Sequence, residues 1–123
     1  MSNWKTPMRL VEYLDKKGAI NAKGQEKLLN GVALAKEMSE QFRCEGMLPF
    51  ATSAIRSAEN SEKVLDKVEK ETGVRLRILS GEEEARLTFL AVRRWYGWSA
   101  GRICDLDIGG GSLEMSIGMN EDP

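Results

Sequence analysis

The stretch Ile103-Cys104-Asp105-Leu106-Asp107-Ile108-Gly109-Gly110-Gly111-Ser112-Leu113-Glu114-Met115-Ser116-Ile117 decides how this chain is read. An apolar strand from Ile103 to Ile108 carries an acid near its end, turns through the glycines and a serine, and resumes at Leu113. Glycine has no Cβ, so its amide can approach an anion closely, and several such N–H groups in one turn form an anion-binding nest. Asp107 and Glu114 flank that turn, and alone they would repel a phosphate. A divalent cation between acid and phosphate reconciles them, and hard carboxylate oxygens suit Mg²⁺. Taken alone, a glycine triplet fits a plain hairpin turn equally well. Two other segments tip the balance.

The first is Ala51-Thr52-Ser53-Ala54-Ile55-Arg56-Ser57-Ala58-Glu59-Asn60. It places the hydroxyls of Thr52 and Ser53, loop amides and Arg56 at the exit of a predicted strand, where ligands bind in α/β sheets. Arg56 can grip phosphate oxygens through two N–H groups at once. The second is Ser80-Gly81-Glu82-Glu83-Glu84-Ala85-Arg86. Acids in a first helical turn suit the helix dipole, and Ser80 with Glu83 fits a capping box. Glu84 points to another side, where it could activate a water for attack on phosphorus.

Composition sets the frame around these segments. The chain has 123 residues, 41% hydrophobic and 30% charged, with a net charge of −1. That size suits one small domain or part of a larger one. No global positive field draws in nucleic acid or an anionic membrane, so neither is expected as a partner. No apolar run reaches the ~20 residues of a membrane span. Cys44 and Cys104 form no CxxC pair, which fits a reducing, cytoplasmic setting. The chain has no histidine, so Ser-His-Asp and Cys-His chemistry are excluded and acid–base work falls to carboxylates.

Along the chain, residues 4–16 read as a short helix ending near Gly18. Asn21 reads as the N-cap of a longer helix to about Phe42, with Leu28, Val32, Ala35, Met38 and Phe42 as its apolar stripe. Met47 to Ser53 reads as a buried strand. Asn60 or Ser61 caps a helix that packs through Val64, Leu65 and Val68 and stops at Gly73. Val74 to Leu79 is a strand with Arg75 and Arg77 on one face. The helix opened by Ser80 runs to about Tyr96, with Leu87, Leu90 and Ala91 inward. The aromatic cluster Trp95, Tyr96 and Trp98 reads as helix-end packing. The order ααβαβαββ predicts an α/β layered domain with a mixed sheet.

The three segments, in this order, resemble the exopolyphosphatase / guanosine pentaphosphate phosphohydrolase (Ppx/GppA) family. Its ATSAxRxAxN, SGxEEARL and DIGGGSxE patterns match residues 51–60, 80–87 and 107–114. Phe89 to Trp98 is similar to actinobacterial members. The resemblance implies a partial ribonuclease-H-like domain of the actin-like ATPase superfamily. It also implies Mg²⁺-dependent removal of the terminal phosphate of inorganic polyphosphate or guanosine pentaphosphate. Glu84 resembles the general base and Asp107 and Glu114 the metal-holding acids. Gly109, Gly110, Gly111 and Ser112 resemble a phosphate loop, and Arg56, with Thr52 and Ser53, a substrate-phosphate contact.

The DxGSxS strand–turn–strand with which the family begins has no match here, nor has its second half. Residues 1–123 are therefore expected to be a single partial domain, part of the family's first domain and lacking its first strands. Such a fragment is expected to turn over poorly, because phosphoryl transfer depends on positioning, and its strand edges favour a homodimer. Two rival readings are an actin-like kinase or ATPase half-domain and a non-catalytic interaction module. The hydrolase context of Glu84 disfavours the first.

Overall fold

The computed structural model describes residues 4–119. They fall into two compact units that divide between Ile78 and Leu79. In the first unit, helix α1 (Ala22–Gln41) starts as predicted, with the side chain of Asn21 accepting a hydrogen bond from the Gly24 amide at 3.0 Å. Its fully buried face ends at Val32: Met38 is half-buried, and Ala35 and Phe42 are exposed. Length explains the difference. Its main partner, α3 (Ser61–Thr72), has 12 residues against 20 in α1, so the last turns of α1 run past it.

Residues 4–16 do not form the predicted helix. A single 3-10 turn at Leu10–Tyr13 is followed by a tight reversal that brings Leu14 antiparallel to Ile20. Asp15 makes the turn: its Oδ1 accepts from the amides of Lys17 (2.8 Å) and Ala19 (3.0 Å), and Gly18 takes φ 81°. Such side-chain-to-backbone bonds compete with helix formation. The amides of Ala19 and then Lys17 hold the Asp15 carboxyl below its ordinary range.

Strand β1 (Phe50–Ala51) leads through α2 (Ser53–Arg56) and α3 to β2 (Arg77–Ile78), which pairs with β1 in parallel. A parallel pair needs such a helical crossover. Both strands are shorter than their predicted runs, and Leu48 is 91% exposed. The ladder has two strands and no further neighbour among the described residues, so pairing covers only the aligned positions. The predicted alternation around β2 holds: Val74 is buried, Leu76 and Ile78 half-buried, Arg75 and Arg77 exposed.

Helix α3 buries Val64, Leu65 and Val68, as predicted, and ends at Gly73, whose φ of 71° is the left-handed conformation a glycine accepts at least cost. Asn60 does not cap it with its side chain. Asn60 Oδ1 instead accepts from the Ile20 amide at 2.8 Å while Nδ2 donates to the Ile20 carbonyl at 2.9 Å, the paired bonds that a strand neighbour would make. The core of this unit gathers Ile20, Leu28, Val32, Ile55, Val64 and Val68.

In the second unit, α4 (Gly81–Tyr96) packs on the antiparallel hairpin of β3 (Ile103–Ile108) and β4 (Leu113–Gly118). The predicted capping box is present: Ser80 Oγ accepts from the Glu83 amide (3.1 Å) and the Glu83 carboxylate from the Ser80 amide (2.9 Å). The predicted inner face of α4 is corrected. Leu87 and Ala91 are exposed; Leu90, Thr88 and Val92 are half-buried, and Phe89 and Arg93 are buried. The aromatic prediction also fails, since Trp95, Tyr96 and Trp98 are all exposed, Trp95 at 85%. Both errors come from equating apolar with buried, and this helix covers a polar surface.

Candidate active site

That surface is one face of the hairpin. In the β3–β4 register Asp107 lies directly opposite Glu114, and Asp105 opposite Ser116. Opposed residues of an antiparallel pair share a face, with Cβ atoms about 5 Å apart. Burial alternates accordingly: Asp105 and Asp107 are half-buried and Glu114 and Ser116 buried, with Glu114 only 8% exposed. On the opposite face Leu106, Ile108, Leu113, Met115 and Ile117 are all exposed. The usual pattern of an amphipathic hairpin is inverted, with carboxylates and hydroxyls under the helix and aliphatic side chains outside.

Helix α4 grips this polar face at two levels. Thr88 Oγ1 donates to Asp107 Oδ2 at 3.0 Å. Arg93, 1% exposed, donates through Nη2 to the carbonyls of Gly101 (2.6 Å) and Gly118 (3.2 Å) and through Nη1 to that of Gly97 (3.4 Å). Its guanidinium carbon lies 5.7 Å from the centre of the Phe89 ring. A buried cation is tolerable only with such partners. The two contacts fix the direction of the helix. Position 88 meets Asp107 and position 93 meets Gly101, so α4 runs antiparallel to β3.

Glu84 stands four residues before Thr88 on the same face of the helix, about 6 Å along its axis. The antiparallel course carries that displacement past Asp107 toward the glycine turn. Glu84 is half-buried. Glu84, Asp107, Glu114 and the turn thus share one end of this unit.

Within the turn, the Gly109 amide donates to the Ser112 carbonyl at 3.0 Å. An anion-binding role for the turn therefore rests on the N–H groups of Gly110, Gly111 and Ser112 and on the Ser112 hydroxyl. Neither Gly109 nor Gly110 has a left-handed φ, and a Cβ added at Gly110 would meet nothing within 4 Å. Neither backbone strain nor packing among the described residues requires glycine at position 110. The hydroxyls of Ser112 and Ser116, both buried, have no hydrogen-bond partner among the described residues. They lie two residues either side of Glu114, Ser116 on its face of β4 and Ser112 in the turn.

The donor set fits Mg²⁺. Among the described residues no three Asp, Glu, Cys or His side chains converge, so the site offers a pair of carboxylates rather than a closed cage. Mg²⁺ commonly binds through one or two carboxylates and completes its shell with water and substrate phosphate.

The residues expected at the other segment lie in the first unit. Thr52 precedes α2 and makes no side-chain cap bond, Ser53 is buried, and Arg56 is half-buried. The free amides expected there are partly spent. Those of Ile55 and Arg56 donate to the Thr52 carbonyl, and that of Ser57 to the Ser53 carbonyl. The segment closes into a helical turn, and hydrogen bonding within the turn takes up those donors. Sequence reading missed Thr88 and Arg93. The signal for Thr88 was its i+4 spacing from Glu84; for Arg93 it was its i+4 spacing from Phe89, directly after Val92.

The family model described as the Ppx/GppA phosphatase family matches residues 1–123. The chain is 55% identical over 123 residues to Exopolyphosphatase 1 of Mycobacterium tuberculosis and 52% identical to Exopolyphosphatase 1 of Mycobacterium leprae, covering all of this chain and 36% of each relative. It spans about a third of the length of those relatives. Among solved structures it resembles the Aquifex aeolicus Ppx/GppA family member, with a TM-score of 0.78 at 28% identity over 94% of this chain and 37% of that one. An exopolyphosphatase from Cytophaga hutchinsonii gives a TM-score of 0.78 at 28% identity over 85% of this chain and 35% of that one. The α/β fold implied by the resemblance is therefore shared with these structures, and the chain belongs to the Ppx/GppA phosphatase family.

Proposed function

We propose that this chain carries part of the catalytic site of a Mg²⁺-dependent phosphohydrolase that removes the terminal phosphate of inorganic polyphosphate. Guanosine pentaphosphate is the alternative substrate. The carrying observation is the pairing of Asp107 with Glu114 beneath α4, at the end where Glu84 and the glycine turn also lie. The names of the mycobacterial relatives favour polyphosphate.

Asp107 and Glu114 would hold Mg²⁺, which when bound offsets the negative charge of the phosphate oxygens. The Gly110, Gly111 and Ser112 amides and the Ser112 hydroxyl donate to the terminal phosphoryl group, with Gly109 closing the turn. Glu84 accepts a proton from a water as its oxygen bonds to the terminal phosphorus. The bridging P–O bond breaks, and the shortened chain leaves with its electron pair on the former bridging oxygen. General-base help of this kind contributes about 10²–10⁴-fold. Thr52, Ser53 and Arg56 are proposed as phosphate contacts on their motif alone.

Calorimetry of tripolyphosphate with and without Mg²⁺ tests the site. Wild type should bind in a Mg²⁺-dependent manner, and Asp107→Asn or Glu114→Gln should abolish that dependence. Glu84→Gln should leave binding intact and lower whatever slow phosphate release the wild-type chain gives from long polyphosphate, by about 100-fold or more, on the scale of a lost general base. Mg²⁺-independent binding by wild type would overturn the proposal.

Two accompanying proposals concern the whole chain. A cytoplasmic location fits the two exposed free thiols, Cys44 and Cys104, and no described helix is long and apolar enough to cross a membrane. A homodimer would cover the exposed aliphatic face of the hairpin. Sedimentation should then show wild type as a dimer and Met115→Lys as a monomer; a monomeric wild type sinks the idea.

A further inference from the structure

We propose that Thr88 is a positioning residue for the cation site, a role that rests on the reading of Asp107 as a metal-holding acid. An ionised carboxylate is acceptor-only, so the 3.0 Å contact between Thr88 Oγ1 and Asp107 Oδ2 has the hydroxyl as donor. A threonine inside a helix ordinarily returns its hydroxyl to the carbonyl four residues back. Thr88 spends it instead on a residue 19 positions away in sequence, in another element. Thr88 is half-buried, and its branched side chain has few rotamers, so the donor is held in place by the helix.

The consequence falls on Asp107. With Oδ2 engaged, the torsion about its Cβ–Cγ bond is set, and Oδ1 carries no hydrogen bond among the described residues. Oδ1 is the oxygen left for a cation, on the hairpin face where Glu114 stands directly opposite. Without the hydroxyl, Asp107 is free to rotate, and a cation must order it on binding. Outer-shell partners of metal-binding carboxylates typically change affinity by about 10–100-fold when removed. The same hydroxyl lies one turn below Glu84, so α4 carries both the proposed base and the residue that orients the acid.

The test is Mg²⁺ calorimetry on the chain alone, cross-checked by Mn²⁺ binding followed by electron paramagnetic resonance, with circular dichroism to verify folding. Thr88→Val, nearly the same shape without a hydroxyl, should weaken binding about 10–100-fold. Thr88→Ser should restore it, a rescue that a packing role would not give. Thr88→Ala provides the same readout if valine disturbs the helix. Loss in Asp107→Asn with wild-type affinity in both Thr88→Val and Thr88→Ala overturns the positioning role and leaves the metal site standing. Equal loss in Thr88→Ser and Thr88→Val also overturns it. Unchanged affinity in Asp107→Asn overturns the metal reading, and this inference with it.

Discussion

Asn60 shows how much one side chain can carry in the first unit. It satisfies both the N–H and the C=O of Ile20, a residue 1% exposed, across 40 positions of sequence. The Ile20 carbonyl has a second donor in Gln25 Nε2 at 2.8 Å, whereas among the described residues Asn60 alone accepts from the amide. Asn60→Ala should therefore cost about 1–3 kcal/mol, chiefly for the orphaned amide. Asn60→Asp keeps the acceptor and should cost less. Urea unfolding checks both, and equal midpoints for wild type and Asn60→Ala would refute the argument. The sequence offers Asn60 or Ser61 as a helix cap, because both residue types cap strongly. The long-range role of Asn60 carries no local signature. Asn21 does cap through its side chain, and there the local rule was sufficient.

At the scale of elements, helices with one apolar stripe and a dedicated cap were legible. The start of α1, the buried residues of α3 and the capping box of α4 all follow from local chemistry. So does the hairpin, with strands at Ile103–Ile108 and Leu113–Gly118 around its glycine turn. The orientation of α4 was not legible. Periodicity locates an apolar face, yet it is the partner surface that decides which face is buried. Here the partner surface offers Asp107 and the carbonyls of Gly101 and Gly118, so Thr88 and Arg93 turn inward and Leu87 outward. Of the candidate site, its residue types and order could be read from the sequence. Its assembly depended on register, which pairs Asp107 with Glu114, and on helix direction, which sends Glu84 toward the turn. Thr52, Ser53 and Arg56 belong to the other unit, where a helical turn uses amides that the sequence left open.

For the molecule as a whole, the two units rest on different kinds of interior. The contiguous apolar core lies in the first, while among the described residues Leu79 and Phe89 are the only buried hydrophobic ones in the second. The second unit encloses Arg93, Glu114 and Ser116 instead. Apolar burial at about 25 cal/mol per Å² therefore contributes little to its folding, and this small unit should open locally more readily than the α1–α3 core. Its stability is consequently open to mass action. A ligand that binds only the closed form stabilises it by RT ln(1 + [L]/Kd), about 2.7 kcal/mol at a hundredfold excess over Kd. Thermal melts should thus rise when Mg²⁺ and tripolyphosphate are added together, and should stay flat in Asp107→Asn. On the proposed function, the inverted hairpin would make its ligand a structural component as well as a reactant: cation and phosphate would complete an interior that the chain fills with oxygen atoms rather than carbon.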